Sequence, residues 1–162
     1  NMFPKIHAIY GFLFSMVLFL LFPQITLLHA TIIFLSSVLI DVDHYLYYVY
    51  REKNWNLKRS FKWYLKNELL FNNMSEKQKA EIYTGLCFLH GIGAILILFI
   101  LGVFIKHISG LVFPVLLGFL FHQFLDLIDL FKRHYRLDKV ISFFYAIKNS
   151  KNKRLLQDLK NE

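Results

Sequence analysis

Hydrophobic residues along this chain are grouped into four long segments, and polar residues separate them. Each segment has about the 20 residues that an α-helix needs to cross the hydrocarbon core of a bilayer. Prolines support the boundaries, because Pro4 and Pro114 fall in opening turns and Pro23 follows the first segment. The pattern therefore predicts four transmembrane helices, at about 3–22, 26–48, 85–105 and 110–131.

Two of the connections between these segments are short. The sequences PQI, after the first segment, and KHIS, after the third, leave room only for tight turns, so each pair is expected to form an antiparallel helical hairpin. A longer polar loop, 51–84, joins the two hairpins, and a basic tail, 132–162, follows the fourth segment. We expect an all-α polytopic membrane protein with a single membrane domain that spans 1–162.

The 51–84 loop contains a different pattern, because apolar residues recur on one face of a predicted helix with lysines around them. Trp55 and Trp63 suit the headgroup zone of a membrane. These are the features of an amphipathic helix that lies on the inner leaflet. We expect a further cytoplasmic surface helix from about Leu137. The apolar face of the loop helix consists of Leu57, Phe61, Tyr64, Leu65 and Leu69.

Composition and charge agree with a membrane protein, since 56% of the 162 residues are hydrophobic and 18% are aromatic. The formal net charge is +8, and its distribution is uneven: eight Lys and Arg residues lie in the 51–84 loop, nine follow Phe131, and Lys106 alone lies on the opposite side. The positive-inside rule then predicts an integral inner-membrane protein with both termini in the cytoplasm. We expect membrane lipids as partners, with anionic headgroups near the loop. No nucleic-acid partner is expected, and an oligomer is left open.

Ionisable side chains interrupt the apolar segments, where a charged residue costs about 2.5–3.5 kcal/mol at the centre of a membrane helix. With a rise of about 1.5 Å per residue, all of them except His29 reach one layer toward the cytoplasmic side. Glycines that allow close helix approach accompany them, at positions 11, 91, 93 and 118. The residues of this layer are His7, Asp41, Asp43, His44, His90, His122, Asp126 and Asp129.

The spacing of these residues puts several of them on shared helix faces. His122 and Asp126 are four positions apart, and Asp41 and His44 are three positions apart. Asp43, by contrast, points about 200° away from Asp41 in a regular helix. Either Asp43 faces headgroup water, or the second helix is locally unwound so that both carboxylates converge.

Imidazoles and carboxylates from several helices of a bundle are the usual ligands of a metal site. A divalent cation would neutralise the aspartates and offset the cost of their burial. The mixture of ligands favours zinc, then iron or manganese, over magnesium or calcium, with one or two ions. Asp43 or Asp129, which continues the face of Asp126, is the candidate catalytic base or orienting residue. The candidate metal ligands are His7, Asp41, His44, His90, His122 and Asp126.

Two other functions would use the same side chains. Aspartates and histidines could pair by hydrogen bonds between helices without a metal, in a non-catalytic membrane scaffold. An ion, proton or small-solute transporter would need a polar path to the outer face, and the outer halves of the four segments are apolar apart from His29. His29, His107 and His134 are expected to be solvated.

In order and spacing, these residues resemble the YdjM-like membrane-bound metal-dependent hydrolases. That family has an early histidine, a D-x-D-H motif at the end of the second span, a central histidine motif and H-x-x-x-D in a later span. The family's ligand types also look like those of zinc-dependent phospholipase C enzymes. The resemblance implies metal-dependent hydrolysis of a phospholipid or of a lipid-linked phosphoester or ester at the cytoplasmic leaflet. The matching residues are His7, DVDH at 41–44, His90 and HQFLD at 122–126.

Overall fold

The computed structural model describes residues 4–75, 82–83, 88–132 and 154–155. A 3₁₀ turn at Lys106–Ile108 precedes the last helix of the described residues, and two-residue strands, β1 (Ile82–Tyr83) and β2 (Arg154–Leu155), pair in parallel. Apart from this pairing the described residues confirm the predicted all-α class, and the surface helix expected from Leu137 lies outside them. The helices are α1 (Pro4–Leu21), α2 (Leu27–Leu39), α3 (Val42–Glu52), α4 (Leu57–Asn72), α5 (Ile92–Phe104) and α6 (Ser109–Lys132).

The helices α2 and α6 form the centre of the bundle. The α2 helix packs against both α1 and α6, α5 packs against α6, and α1 also touches α6. The α3 helix continues from α2 after a short junction and packs on α4. The contact between α2 and α6 therefore joins the first two apolar segments to the last two.

Two segments are long and apolar enough to cross a membrane, Leu27–Glu52 and Lys106–Asp129. The first combines α2 with α3, and the second contains most of α6. Lys5–Leu21 and Ile92–Phe104 are apolar but shorter. At about 1.5 Å per residue, the 13 residues of α5 extend about 20 Å. Within the described residues, two of the four predicted spans thus reach the length that spanning requires.

In the third predicted segment, 85–105, the described residues 88–91 form a turn before the helix. The α5 helix starts after Gly91, whose backbone is extended (φ −89°, ψ 150°). His90 lies in the turn before the helix instead of inside it. The physical reason is a tertiary hydrogen bond, because the Leu89 N–H donates to the carboxylate of Asp43 at 3.0 Å and holds the backbone outside the helix.

The predicted role of glycine in close helix approach is confirmed at two positions. A Cβ atom added to Gly118 of α6 would lie 2.5 Å from the carbonyl oxygen of Ile33 and 3.0 Å from the backbone nitrogen of Ser37, both in α2. A Cβ atom on Gly11 of α1 would collide with the hydroxyl of Ser37. Gly93, by contrast, has nothing within 4 Å of that position. Small residues therefore let α2 lie against both of its neighbours.

The α4 helix docks on α3 through polar and aromatic side chains. Asn56 Oδ1 accepts the Arg59 N–H at 3.0 Å and caps the start of α4. Ser60 is buried, and the Tyr64 hydroxyl donates to the backbone carbonyl of His44. Tyr64 therefore faces the bundle and does not share the exposed apolar face that the sequence pattern predicts for it. The other residues of that face are exposed as predicted: Leu57, Phe61, Leu65 and Leu69.

Replacing Gly118 with alanine is expected to destabilise the bundle, because the added methyl group would overlap the α2 backbone. Overpacking of this kind costs about 1–3 kcal/mol. The matched control is Gly93→Ala, since nothing lies within 4 Å of a Cβ atom there. Thermal unfolding of both variants in detergent measures the difference. Equal unfolding midpoints would contradict the close approach of α2 and α6.

Candidate metal centre

The junction between α2 and α3 departs from regular helix geometry at the two aspartates. The Asp43 N–H donates to the Ile40 carbonyl at 3.4 Å, and the His44 N–H donates to the Asp41 carbonyl at 3.2 Å. These are 3₁₀ hydrogen bonds. In a 3₁₀ turn the side chains of residues two apart point about 120° from each other, whereas in an α-helix this angle is about 160°, the same as a rotation of about 200°. Of the two predicted alternatives, exposure of Asp43 to headgroup water is wrong, because Asp43 is buried. The two carboxylates do not meet at one point either, since Asp41 faces Nε2 of His90 and Asp43 faces Nδ1 of the same ring.

His90 lies between the two carboxylates. Its Nε2 is 3.4 Å from Asp41 Oδ1, and its Nδ1 is 3.1 Å from Asp43 Oδ2. Asp43 is buried, and the same oxygen accepts the Leu89 N–H at 3.0 Å. Because an ionised carboxylate can only accept, Nδ1 of His90 carries the hydrogen. In the neutral imidazole, Nε2 then presents a lone pair toward Asp41 and His122.

His122, on α6, is oriented in the same way by α2. Its Nδ1 lies 2.7 Å from the backbone carbonyl oxygen of Ser37, which can only accept a hydrogen bond. Nδ1 of His122 therefore carries the hydrogen, and its Nε2 presents a lone pair. That Nε2 lies 3.1 Å from Nε2 of His90. The side chain of His122 is fully buried, so its orientation is fixed by packing as well.

Two carboxylate oxygens lie beside this pair of nitrogens. Asp41 Oδ1 is 3.6 Å from Nε2 of His122. Asp126 Oδ2 is 3.4 Å from Nε2 of His122 and 3.8 Å from Nε2 of His90. The side chains of Asp41 and Asp126 are 23% and 24% exposed, so the buried His122 and the half-buried His90 meet carboxylates that a molecule outside the bundle can reach.

The other two predicted ligands border the same cluster. Nε2 of His44 is 3.8 Å from Asp41 Oδ1. Nε2 of His7 is 3.3 Å from Asp126 Oδ1, and the ring of His7 stacks on the ring of His122 with centroids 4.0 Å apart. The structure therefore brings all six predicted ligands together, from α1, the start of α3, the turn before α5, and α6.

The spacing of these atoms fits a metal ion. Ligand atoms around a tetrahedral ion, with bonds of about 2.0–2.1 Å, lie about 3.3 Å from one another. The contacts that Nε2 of His90 and Nε2 of His122 make with each other and with the carboxylates run from 3.1 to 3.8 Å. Three overlapping groups of these residues have ligand atoms within 4.8 Å of one another. They are His7, Asp41 and His122; Asp41, His44 and His90; and His90, His122 and Asp126.

The two aspartates predicted as catalytic or orienting residues occupy different positions. Asp43 lies behind His90, on its Nδ1 side, where a carboxylate commonly orients a metal-bound histidine. Asp129 is buried on α6, less than one turn after Asp126, and belongs to none of the three groups. The position of Asp43 matches the orienting role, and the role of Asp129 stays a prediction.

Three contacts that shape the centre have no signal in the sequence. Each uses a backbone atom of one partner, so it depends on how the helices pack and not on residue spacing. Gly118 and the small residues of α2 indicate only that the two backbones come close, not which atoms make these contacts. The three contacts join Ser37 to His122, Leu89 to Asp43, and Tyr64 to His44.

The other histidines of the described helices lie away from the centre. His29 forms a capping box with Thr26 at the start of α2, where its Nδ1 accepts the Thr26 N–H at 3.3 Å. His107 is exposed in the 3₁₀ turn before α6. His134 lies outside the described residues.

In comparisons with known proteins, no protein-family model, no curated protein and no solved structure matches this chain.

Removing the Asp43 carboxylate is expected to weaken metal binding without removing a ligand. Asp43→Ala frees the Nδ1 side of His90, and the loss of such an orienting partner typically lowers metal affinity about 10–100-fold. Titration of the purified protein with Co²⁺, followed by absorption, measures this affinity. Glu52→Ala is the control, because Glu52 accepts from Trp63 at the far end of α3. Equal Co²⁺ affinity in the two variants would contradict the orienting role.

Proposed function

We propose that the protein is an integral inner-membrane hydrolase that uses a divalent metal ion, zinc or else iron or manganese. Its substrate is a phospholipid or a lipid-linked phosphoester or ester at the cytoplasmic leaflet. One observation carries the proposal: His90 and His122 present facing Nε2 atoms, with oxygens of Asp41 and Asp126 beside them. The order of these residues along the chain, which resembles that of the YdjM-like hydrolases, supports it as well.

The arrangement of acceptor atoms favours a metal ion over simple pairing of histidines with aspartates. In neutral His90 and His122 with the hydrogen on Nδ1, the two Nε2 atoms and the two carboxylate oxygens are all acceptors. Acceptors that face one another at 3.1 to 3.8 Å repel. A shared proton would relieve one of these contacts, whereas a divalent ion would attract all four atoms. A non-catalytic scaffold does not require this convergence.

Four membrane-spanning helices are the second part of the proposal. Buried positions on α1 hold the small or polar residues His7, Gly11 and Ser15, and α6 buries Gly118, His122 and Asp129 beside Leu116 and Leu125. This is the reverse of a soluble helix, and it suits helices that contact lipid on their outer faces. The basic residues of the 51–84 loop and of the tail favour cytoplasmic termini. Large apolar side chains exposed on α1 and α5 include Ile9, Phe12, Leu13, Leu20, Leu96, Ile97 and Phe99.

A surface for anionic lipid headgroups is the third part of the proposal. The exposed apolar residues of α4 lie beside the exposed lysines Lys58, Lys62 and Lys66, a combination typical of helices that bind an anionic membrane surface. Tyr64, at the edge of this apolar face, donates to the backbone carbonyl of His44. The helix that would contact headgroups therefore borders the metal centre, which favours a lipid or lipid-linked substrate.

The side chains of the cluster have separate roles in this proposal. When bound, a divalent ion supplies Lewis acidity toward a phosphoryl or acyl oxygen and an activated water molecule. Asp43 and the Ser37 carbonyl keep His90 and His122 in the tautomer that leaves Nε2 free. Asp129, on the same helix as His122, is the candidate general base.

Metal content tests the proposal directly. We expect the protein, purified without chelator, to contain about one or two equivalents of zinc, iron or manganese by plasma mass spectrometry, in line with the ligand number of such sites. The double variant His122→Ala/Asp126→Ala is expected to lose the metal and any hydrolysis of phospholipids or phosphodiesters. His29→Ala is the control, since His29 caps the outer end of α2. A parent protein that holds no metal when offered each ion would disprove the hydrolase.

The position of α4 at a membrane surface can be tested with the two tryptophans of the chain. Trp55 is 72% exposed, whereas Trp63 packs against Tyr48 and Tyr64. In vesicles that contain brominated phosphatidylglycerol, the fluorescence of Trp55, isolated by Trp63→Phe, is expected to be quenched more strongly than that of Trp63, isolated by Trp55→Phe. Quenching of Trp55 by aqueous iodide alone would contradict a lipid-facing α4.

A further inference from the structure

The ring of His7 is oriented differently from the other imidazoles of the cluster. It is 1% exposed and lies nearly parallel to the ring of His122, with centroids 4.0 Å apart and an interplanar angle of 18°. An imidazole binds a metal through a lone pair in the plane of its ring. Because the two rings are stacked, no position lies in the planes of both rings and also within a bond length, about 2.0–2.1 Å, of a nitrogen of each ring. His7 and His122 therefore do not bind the same ion.

The pair formed by His90 and His122 has the opposite geometry. Their rings cross at 76°, and their Nε2 atoms converge to 3.1 Å. Two lone pairs that meet at such an angle can point at one ion between the rings. The ion of the proposed function is therefore expected at His90 and His122, with His7 on the far face of the His122 ring.

The surroundings of Nδ1 of His7 indicate whether this residue can bind a metal through Nε2. Metal-bound histidines almost always donate their other N–H to an acceptor, as Nδ1 of His122 does to Ser37 and Nδ1 of His90 does to Asp43. Nδ1 of His7 is buried and has no hydrogen-bond partner among the described residues. If Nε2 of His7 bound a metal, its Nδ1 hydrogen would be buried without an acceptor. The favoured tautomer is therefore the one with the hydrogen on Nε2 and a bare Nδ1.

Nε2 of His7 faces one oxygen of Asp126, and Nε2 of His122 faces the other. Nε2 of His7 lies 3.3 Å from Oδ1 of Asp126, and Oδ2 of the same carboxylate lies 3.4 Å from Nε2 of His122. A donor on Oδ1 would hold the carboxylate so that Oδ2 points at the ion.

We propose that His7 is a positioning residue, which donates from Nε2 to Asp126 and aims the second oxygen of that carboxylate at the ion without binding the ion itself. This assignment rests on the metal centre of the proposed function. It differs from the role of metal ligand that the sequence pattern predicts for His7.

Substitution by glutamine separates the two roles, because the glutamine amide can supply an N–H near the position of Nε2 but is a poor substitute for imidazole as a ligand of zinc or cobalt. The metal content of the parent, His7→Gln, His7→Ala and His122→Gln proteins is measured at saturating Zn²⁺, and Co²⁺ affinity is measured by absorption. Elution volume and far-UV circular dichroism establish that each variant is folded.

We expect one ion in the parent and one in His7→Gln, with an unchanged Co²⁺ spectrum and an affinity within about threefold of the parent. His7→Ala is expected to bind about 10–100-fold more weakly, as for other lost orienting partners. His122→Gln is expected to lose the ion or change the spectrum.

Two other results would overturn the assignment while leaving the metal centre intact. Two ions in the parent and one in His7→Gln would make His7 the ligand of a second ion. A changed Co²⁺ spectrum in His7→Gln, equal to the change in His122→Gln, would make His7 a ligand of the first ion. A parent protein that binds no ion would instead remove the proposed function, and the positioning role with it.

Discussion

The packing of α2 against α6 sets both the arrangement of the helices and the position of His122. Because Gly118 has no side chain, α6 approaches the α2 backbone near Ile33 and Ser37. His122, one turn further along α6, then reaches the Ser37 carbonyl at 2.7 Å and holds its Nε2 toward His90. Since packed interiors transmit small displacements, a larger residue at position 118 would shift the imidazole as well as the helix. Helix packing and the candidate chemistry thus depend on the same few atoms.

Charge is the second constraint, because carboxylates inside an apolar bundle need partners. Asp43 has them at Oδ2, which faces Nδ1 of His90 and accepts the Leu89 N–H, while its Oδ1 is buried without a hydrogen-bond partner among the described residues. Asp41 and Asp126 instead face imidazole nitrogens at 3.3 to 3.8 Å, and these nitrogens offer positive charge only when protonated. A divalent ion at the point where the acceptors meet would balance the carboxylates, and its binding free energy would add to the stability of the fold. Metal binding and stability would then rise and fall together.

The sequence predicts the parts of this centre that depend on local spacing. His122 and Asp126 share a helix face because they are four residues apart, and the apolar segments around them predict the helices that carry them. Tertiary contacts determine the orientation of Asp43 and the position of His90. Asp43 turns toward His90 because the junction between α2 and α3 adopts 3₁₀ hydrogen bonds, and His90 lies in a turn because the Leu89 N–H bonds to Asp43. Neither event has a signal in the hydrophobic pattern, which continues without interruption into α5.

X-ray absorption at the metal edge of the purified protein would show whether imidazoles and carboxylates of different helices bind one ion together. We expect nitrogen and oxygen neighbours at about 2.0–2.2 Å, with the scattering pattern of at least two imidazole rings, those of His90 and His122. A spectrum with oxygen neighbours alone and no imidazole scattering would mean that the histidines are partners of the aspartates and not ligands of a metal.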